Sequence, residues 1–155
     1  MATAGRWKVY DAAKHLIGSG ALDLRATTDW RIALCGAASN ANDLALADYA
    51  ALTGELPTAS GYTAGGVSVA GQTWTDSAGV STFTSDPAAW VASGGDLSAA
   101  YAVYYRVGTY GGVTDPVLCV SVLDGGDVIT AADGFSLVVA MHADGIFALS
   151  GANSD

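Results

Sequence analysis

A chain of 155 residues has the length of one domain with a single core. With 51% hydrophobic and only 14% charged residues, it is short of the polar groups a free monomer sets against water, so part of its apolar surface is expected to face another chain. The net charge of −9 argues against nucleic acid and anionic membranes as partners, because the field of the protein repels both.

Five of the six basic residues, Arg6, Lys8, Lys14, Arg25 and Arg31, stand at or before position 31. Residues 1–31 sum to +2 and the remainder to −11, a pattern that a solubility bias with local ion pairs explains, or a basic N-terminal arm, residues 1–8, that docks on an acidic neighbour. Those charges also interrupt any leader-like apolar run, and no run approaches the ~18 residues of a membrane span. A soluble protein made in the cytoplasm is expected.

From Trp7 to Ile17 the apolar residues Val9, Ala12, Ala13, Leu16 and Ile17 recur at helical spacing, which predicts a helix that Gly18-Ser19-Gly20 stops. Ala21 to Arg25 alternates and reads as a short strand. Trp30 to Cys35 alternates again, so the two segments are expected to pair. Ser39 to Asp43 offers N-caps for an Ala-rich segment, helical or irregular, that Gly54 and Pro57 end.

The stretch Gly61-Tyr62-Thr63-Ala64-Gly65-Gly66-Val67 divides this mixed first third from a run of strand-like segments. Val67 to Trp74 and Val80 to Thr84 flank the turn Asp76-Ser77-Ala78-Gly79. Ala89-Trp90-Val91 follows Asp86-Pro87. Leu97 to Val107 reads as one long strand apolar on both faces, hence central and covered on both sides. Pro116 to Leu123 is a further strand, and Phe135–His142 with Ile146–Leu149 reads as a hairpin about Asp144-Gly145. Nothing after residue 60 could be a crossover helix. The expected fold is a single antiparallel β-sandwich, jelly-roll-like, with one short N-terminal helix.

Catalytic chemistry finds little support. His15 and His142 stand alone, and no nucleophile elbow accompanies the serines. Nearly all the acids are aspartates, and those at Asp124, Asp133 and Asp144 stand before glycine, where turn formation accounts for them. Asn40, Asn42 and Asp43 lack the glycine and distal glutamate of a calcium loop, and Asp124 with Asp127 gives only two carboxylates. Gly18-Ser19-Gly20 follows a helix and lacks the third glycine of a dinucleotide fingerprint. No cofactor or metal is expected. Cys35 and Cys119 lie in apolar alternating segments and read as free buried thiols, a disulfide needing adjacent strands. Arg6, Trp7, Lys8 and Tyr10 are the candidate partner-binding residues, an aromatic flanked by cations being suited to an acidic pocket. Packing of Trp7 on its own domain is the competing reading.

The order of segments carries a resemblance. Lys8-Val9-Tyr10-Asp11-Ala12-Ala13-Lys14, Gly20-Ala21-Leu22-Asp23-Leu24, Trp30-Arg31-Ile32-Ala33-Leu34, the Gly61–Val67 stretch, Ala100-Tyr101-Ala102-Val103-Tyr104-Tyr105 and Ala143-Asp144-Gly145-Ile146-Phe147-Ala148-Leu149 together resemble a family of small tailed-bacteriophage virion proteins. The resemblance implies a non-enzymatic virion component located in the particle. A capsid decoration (cement) protein, a dimer or trimer bound to the major capsid protein, is the leading expectation, with removal of residues 1–8 leaving a folded protein that no longer binds. The alternative is a tail-fibre or tail-tip module that binds receptor carbohydrate through exposed Trp74, Trp90, Tyr104 and Tyr110. A glycan hydrolase would need a carboxylate pair that the order of aspartates does not single out.

Overall fold

The computed structural model describes residues 6–150 together with the backbone of Ala2 and Thr3. As expected from the sequence, the protein is mainly β, with 41% strand and 10% helix and one α-helix near the N-terminus. The strands are short. β1 (Ala2–Thr3) and β2 (Lys8–Val9) precede α1 (Asp11–Gly18), β3 (Trp30–Cys35) and β4 (Val67–Ser68). The hairpin β5 (Thr73–Ser77) and β6 (Val80–Thr84) is followed by β7 (Ala88–Val91), β8 (Leu97–Ala99) and β9 (Tyr101–Arg106). Then come β10 (Thr109–Tyr110), β11 (Val113–Thr114), β12 (Val117–Val122), β13 (Ile129–Ala131), β14 (Ser136–Ala140) and β15 (Phe147–Ser150).

They form sheets ordered β2-β12-β9-β3-β4, β15-β6-β5, β1-β14-β7, β13-β8 and β10-β11. Every pairing is antiparallel except β1 with β14. At the centre, β9 lies between β3 and β12, and its residues from Ala102 to Arg106 are all buried, as two-sided apolarity predicts. One face carries Trp30 and Tyr104, which meet Phe83 of β6 at centroid distances of 5.8 Å each. That contact packs the β15-β6-β5 sheet on the central sheet. The other face carries Arg31 and Tyr105 and is covered by the segment from Tyr49 to Gly66, where Tyr49 stacks on Tyr105 at 4.5 Å.

Several expectations are corrected. The helix begins only at Asp11, because Lys8 and Val9 are taken as an edge strand by Val120 and Cys119. Ala21 to Arg25 is turn and bend, not a strand that pairs with Trp30–Cys35. Leu22 and Leu24 are buried, yet Asp23 binds the amide and guanidinium of Arg25 and closes a local turn. Such side-chain to backbone bonding competes with a ladder.

In the Ala-rich segment the only helix is a 3₁₀ turn, Tyr49–Ala51, capped by Asp48. Asn40 instead ties down Ala51 and Thr53. The single strand read over Leu97–Val107 changes sheet at Ala100: Leu97–Ala99 pairs with β13, whereas Tyr101–Arg106 pairs with β3 and β12. The two closing strands exist but do not pair with each other. β14 joins β7 and β15 joins β6, so Asp144-Gly145 makes a turn between sheets. The β10 and β11 hairpin and β13 had no counterpart in the sequence reading.

Candidate functional site

The four residues singled out as a docking element divide by burial. Trp7 is 6% exposed and Tyr10 0%. Trp7 lies edge-on to Tyr104 at 5.9 Å, and the Tyr10 hydroxyl donates to the Ala41 carbonyl. Both are core residues, which leaves Arg6 and Lys8 exposed, Lys8 reaching Asn42 at 3.2 Å. Ala2–Thr3 pair with β14 and Lys8 with β12.

Burial also sorts the aromatics of the carbohydrate reading. Trp90 and Tyr104 are buried, and Tyr110 is covered on one face by the Arg106 guanidinium at 4.4 Å. Trp74 and Tyr110 are half-buried, and of the four Trp74 borders a crevice. This apolar crevice of about 350 Å³ lies between α1 and β15, and Val9, Ile17, Phe147 and Leu149 line it together with Trp74.

The densest polar cluster centres on Glu55. Its carboxylate accepts from the Tyr62 hydroxyl and the Gly65 amide, each at 2.6 Å, and from the Tyr49 hydroxyl. Arg31 donates to the carbonyls of Gly65 and Gly66 at 3.0 and 2.8 Å, and the Tyr105 hydroxyl donates to Gly65 at 2.6 Å. The glycine stretch is thus clamped from both sides of its own backbone. Glu55 was not singled out in the sequence, although it is the one glutamate among fifteen acids. The bonds of Glu55, Arg31 and Tyr105 converge on the backbone of Gly65 and Gly66, so the arrangement fixes a loop.

Outside this cluster the titratable groups are dispersed. His15 is exposed, and His142 meets only Asp144, at 3.5 Å. Asp133 and Asp96 accept backbone amides in turns. Among the described residues no group of three or more His, Cys, Asp or Glu is placed to hold a metal ion. Arg106 is buried, stacked between Trp30 and Tyr110, with its Nε unpartnered among the described residues.

Cys35 and Cys119 are buried and free. Burial pushes the Cys35 thiol up to about 12 and Cys119 well above its ordinary range. Both therefore stay protonated in the native protein at neutral pH and are poor nucleophiles. A folded pKa above the unfolded 9.0 means that the Cys35 thiol favours folding fully below pH 9 and progressively less as pH rises from there toward about 12. We expect thiol-reagent labelling at pH 8 to proceed only at the rate of unfolding. Rapid labelling of the native protein would contradict this burial.

The outward face of β7 and β14 carries no charge. Ala89 and Val91 stand opposite Val138 and Ser136, with Val91 57% exposed and Phe135, at the end of the pair, 69% exposed. Val91 is the one large apolar side chain of β7 and β14 that is exposed among the described residues, and exposed Phe135 immediately precedes β14. Comparison with protein-family models, with curated proteins and with solved structures finds no match for this chain.

Proposed function

We propose that this chain is a virion structural protein of a tailed bacteriophage, a capsid decoration protein that self-associates and reinforces the shell of the major capsid protein. The observation that carries the reading is the uncharged outer face of β7 and β14, flanked by Phe135. A sheet face of alanine, valine and serine gains from burial against another protein at about 25 cal/mol per Å² of apolar area. The order of segments that resembles small virion proteins points the same way, as does the low charge of the chain. The chemistry is that of binding, with no catalytic step. Exposed Arg6 and Lys8 supply cations for an acidic partner, and the net charge of −9 opposes nucleic acid.

The test is co-sedimentation of the purified protein with capsids of its phage. Val91→Asp combined with Phe135→Asp is expected to leave the melting temperature nearly unchanged, both side chains being exposed, and to abolish pelleting with capsids. Wild-type protein that never pellets, or a double variant that pellets as well as wild type, would overturn the reading. Copy number in purified particles locates the protein: parity with shell subunits means the head, and a few copies mean the tail.

A further inference from the structure

β5 ends the sheet ordered β15-β6-β5, and at five residues it is the longest strand at a sheet edge among the described residues. Natural proteins blunt such edges with lysine, proline, bulges or short length. Thr73-Trp74-Thr75-Asp76-Ser77 has one charge, Asp76, but no lysine, proline or bulge, its register with β6 is unbroken, and every residue except Trp74 is exposed.

The turn fixes which backbone groups are free. Ser77 pairs with Val80 across Ala78 and Gly79, whose φ values of 52° and 79° are those of a tight two-residue hairpin. Closure of that turn makes Ser77 and Val80 a hydrogen-bonded pair. Antiparallel alternation then commits the N–H and C=O groups of Thr75 and Thr73 to β6 as well. Trp74 and Asp76 consequently direct theirs outward, along the open edge.

We infer that this edge is a self-association site, where two copies of the chain pair β5 against β5, antiparallel, about a two-fold axis through Thr75. The inference deepens the self-association in the proposed function and does not depend on capsid binding. In that register Trp74 of each copy meets Asp76 of the other, and both residues of each pair hold outward backbone groups, so four hydrogen bonds form. Thr75 meets Thr75 as a non-hydrogen-bonded pair with Cα atoms about 4.5 Å apart, a favourable threonine contact, and Thr73 meets Ser77.

Charge selects the same register. Centring the axis on Asp76 would set two carboxylates face to face. Centring it on Thr75 separates them by about 8 Å from strand spacing and rise and opposes each with an indole-bearing residue. A two-fold dimer is also the commonest symmetric assembly.

Sedimentation velocity of the full chain over a concentration series tests the site. The wild type is expected to form a dimer that tightens with added salt, which screens the two Asp76 carboxylates. Thr75→Lys and Thr75→Asp should each be monomeric with unchanged circular dichroism, because position 75 is exposed, and an equimolar mixture of the two should restore the dimer. Asp76→Pro should also be monomeric while keeping the hairpin, since the backbone N–H it removes points outward and the side-chain contact it gives up, with Ser81 Oγ at 3.4 Å, is long. A wild type that stays monomeric to its solubility limit, a dimer untouched by these variants, or a mixture that stays monomeric would each overturn the inference. Capsid pelleting by the Val91→Asp, Phe135→Asp pair reads a different surface, so failure of that reading leaves this one distinguishable.

Discussion

Gly66→Val leaves the chain unable to fold. Gly66 has φ +76°, and a Cβ there would lie 1.9 Å from the carbonyl oxygen of Ile32, 2.5 Å from its carbon and 2.8 Å from the Cα of Ala33. All three are backbone atoms in the middle of β3, paired on one side to β4 and on the other to β9, and none can retreat without breaking a ladder. The left-handed backbone alone costs about 1–2 kcal/mol for an L-residue. The clash raises the total past the ~4–5 kcal/mol that marks an exceptional substitution, against the ~5–15 kcal/mol that holds a typical domain together.

Gly65, its neighbour, makes the control. Its φ is +97°, but a Cβ would meet only the Tyr105 hydroxyl, at 3.8 Å, so Gly65→Ala should cost little beyond the backbone term of about 1–2 kcal/mol. Denaturant unfolding of both variants checks the difference. Equal midpoints would show that close approach to β3 is not what demands glycine at position 66.

Trp7→Ala carries the second largest effect. Removing a buried tryptophan costs about 3–5 kcal/mol, and here it also empties the edge contact with Tyr104 that closes the aromatic cluster of Trp30, Tyr104 and Phe83. Thermal unfolding should show a large drop. A shift no greater than that of a surface substitution would mean that Trp7 does not occupy this core. Deletion of residues 1–8 is expected to be at least as damaging, because it also removes the Lys8 half of β2. Loss of capsid binding by such a deletion would therefore report unfolding. Arg6→Glu with Lys8→Glu is the cleaner probe of N-terminal docking, both side chains being exposed.

These two sites show where the sequence was legible. Period-two alternation located β3, β6, β12 and most of β9, because a strand covered on one or both faces must repeat its apolar residues in a pattern sequence alone displays. The division at Gly61–Val67 was visible in its glycines. Its physical cause was not, since Glu55, Arg31 and Tyr105 converge on that stretch only through tertiary contact.

The failures share one origin. Asp144-Gly145 is a valid turn signal, yet the strands that flank it pair with β7 and β6, and local turn chemistry does not encode the partner. Likewise, nothing at Ala100 marks the change of sheet, which depends on Cys35 and Leu123 lying ready to bond its backbone, at 2.8 and 2.9 Å. Of the docking residues, the charges stayed outside as their solvation requires. The aromatics went inside, and helical spacing misplaced them because Lys8 and Val9 joined an edge that lies more than a hundred residues further along the chain.

The parallel pairing of β1 with β14 sets Ala2 beside Val139, with almost the whole described chain looped between them. Closing a loop of that length comes late in folding, since each doubling of loop length adds about 0.6 kcal/mol of entropic cost and non-local pairing slows folding generally. During synthesis β6 and β7 emerge long before β15 and β14 can pair with them. The edges of β6 and β7 stay open for that interval, which makes the nascent chain, more than the finished protein, the form most exposed to wrong strand pairing.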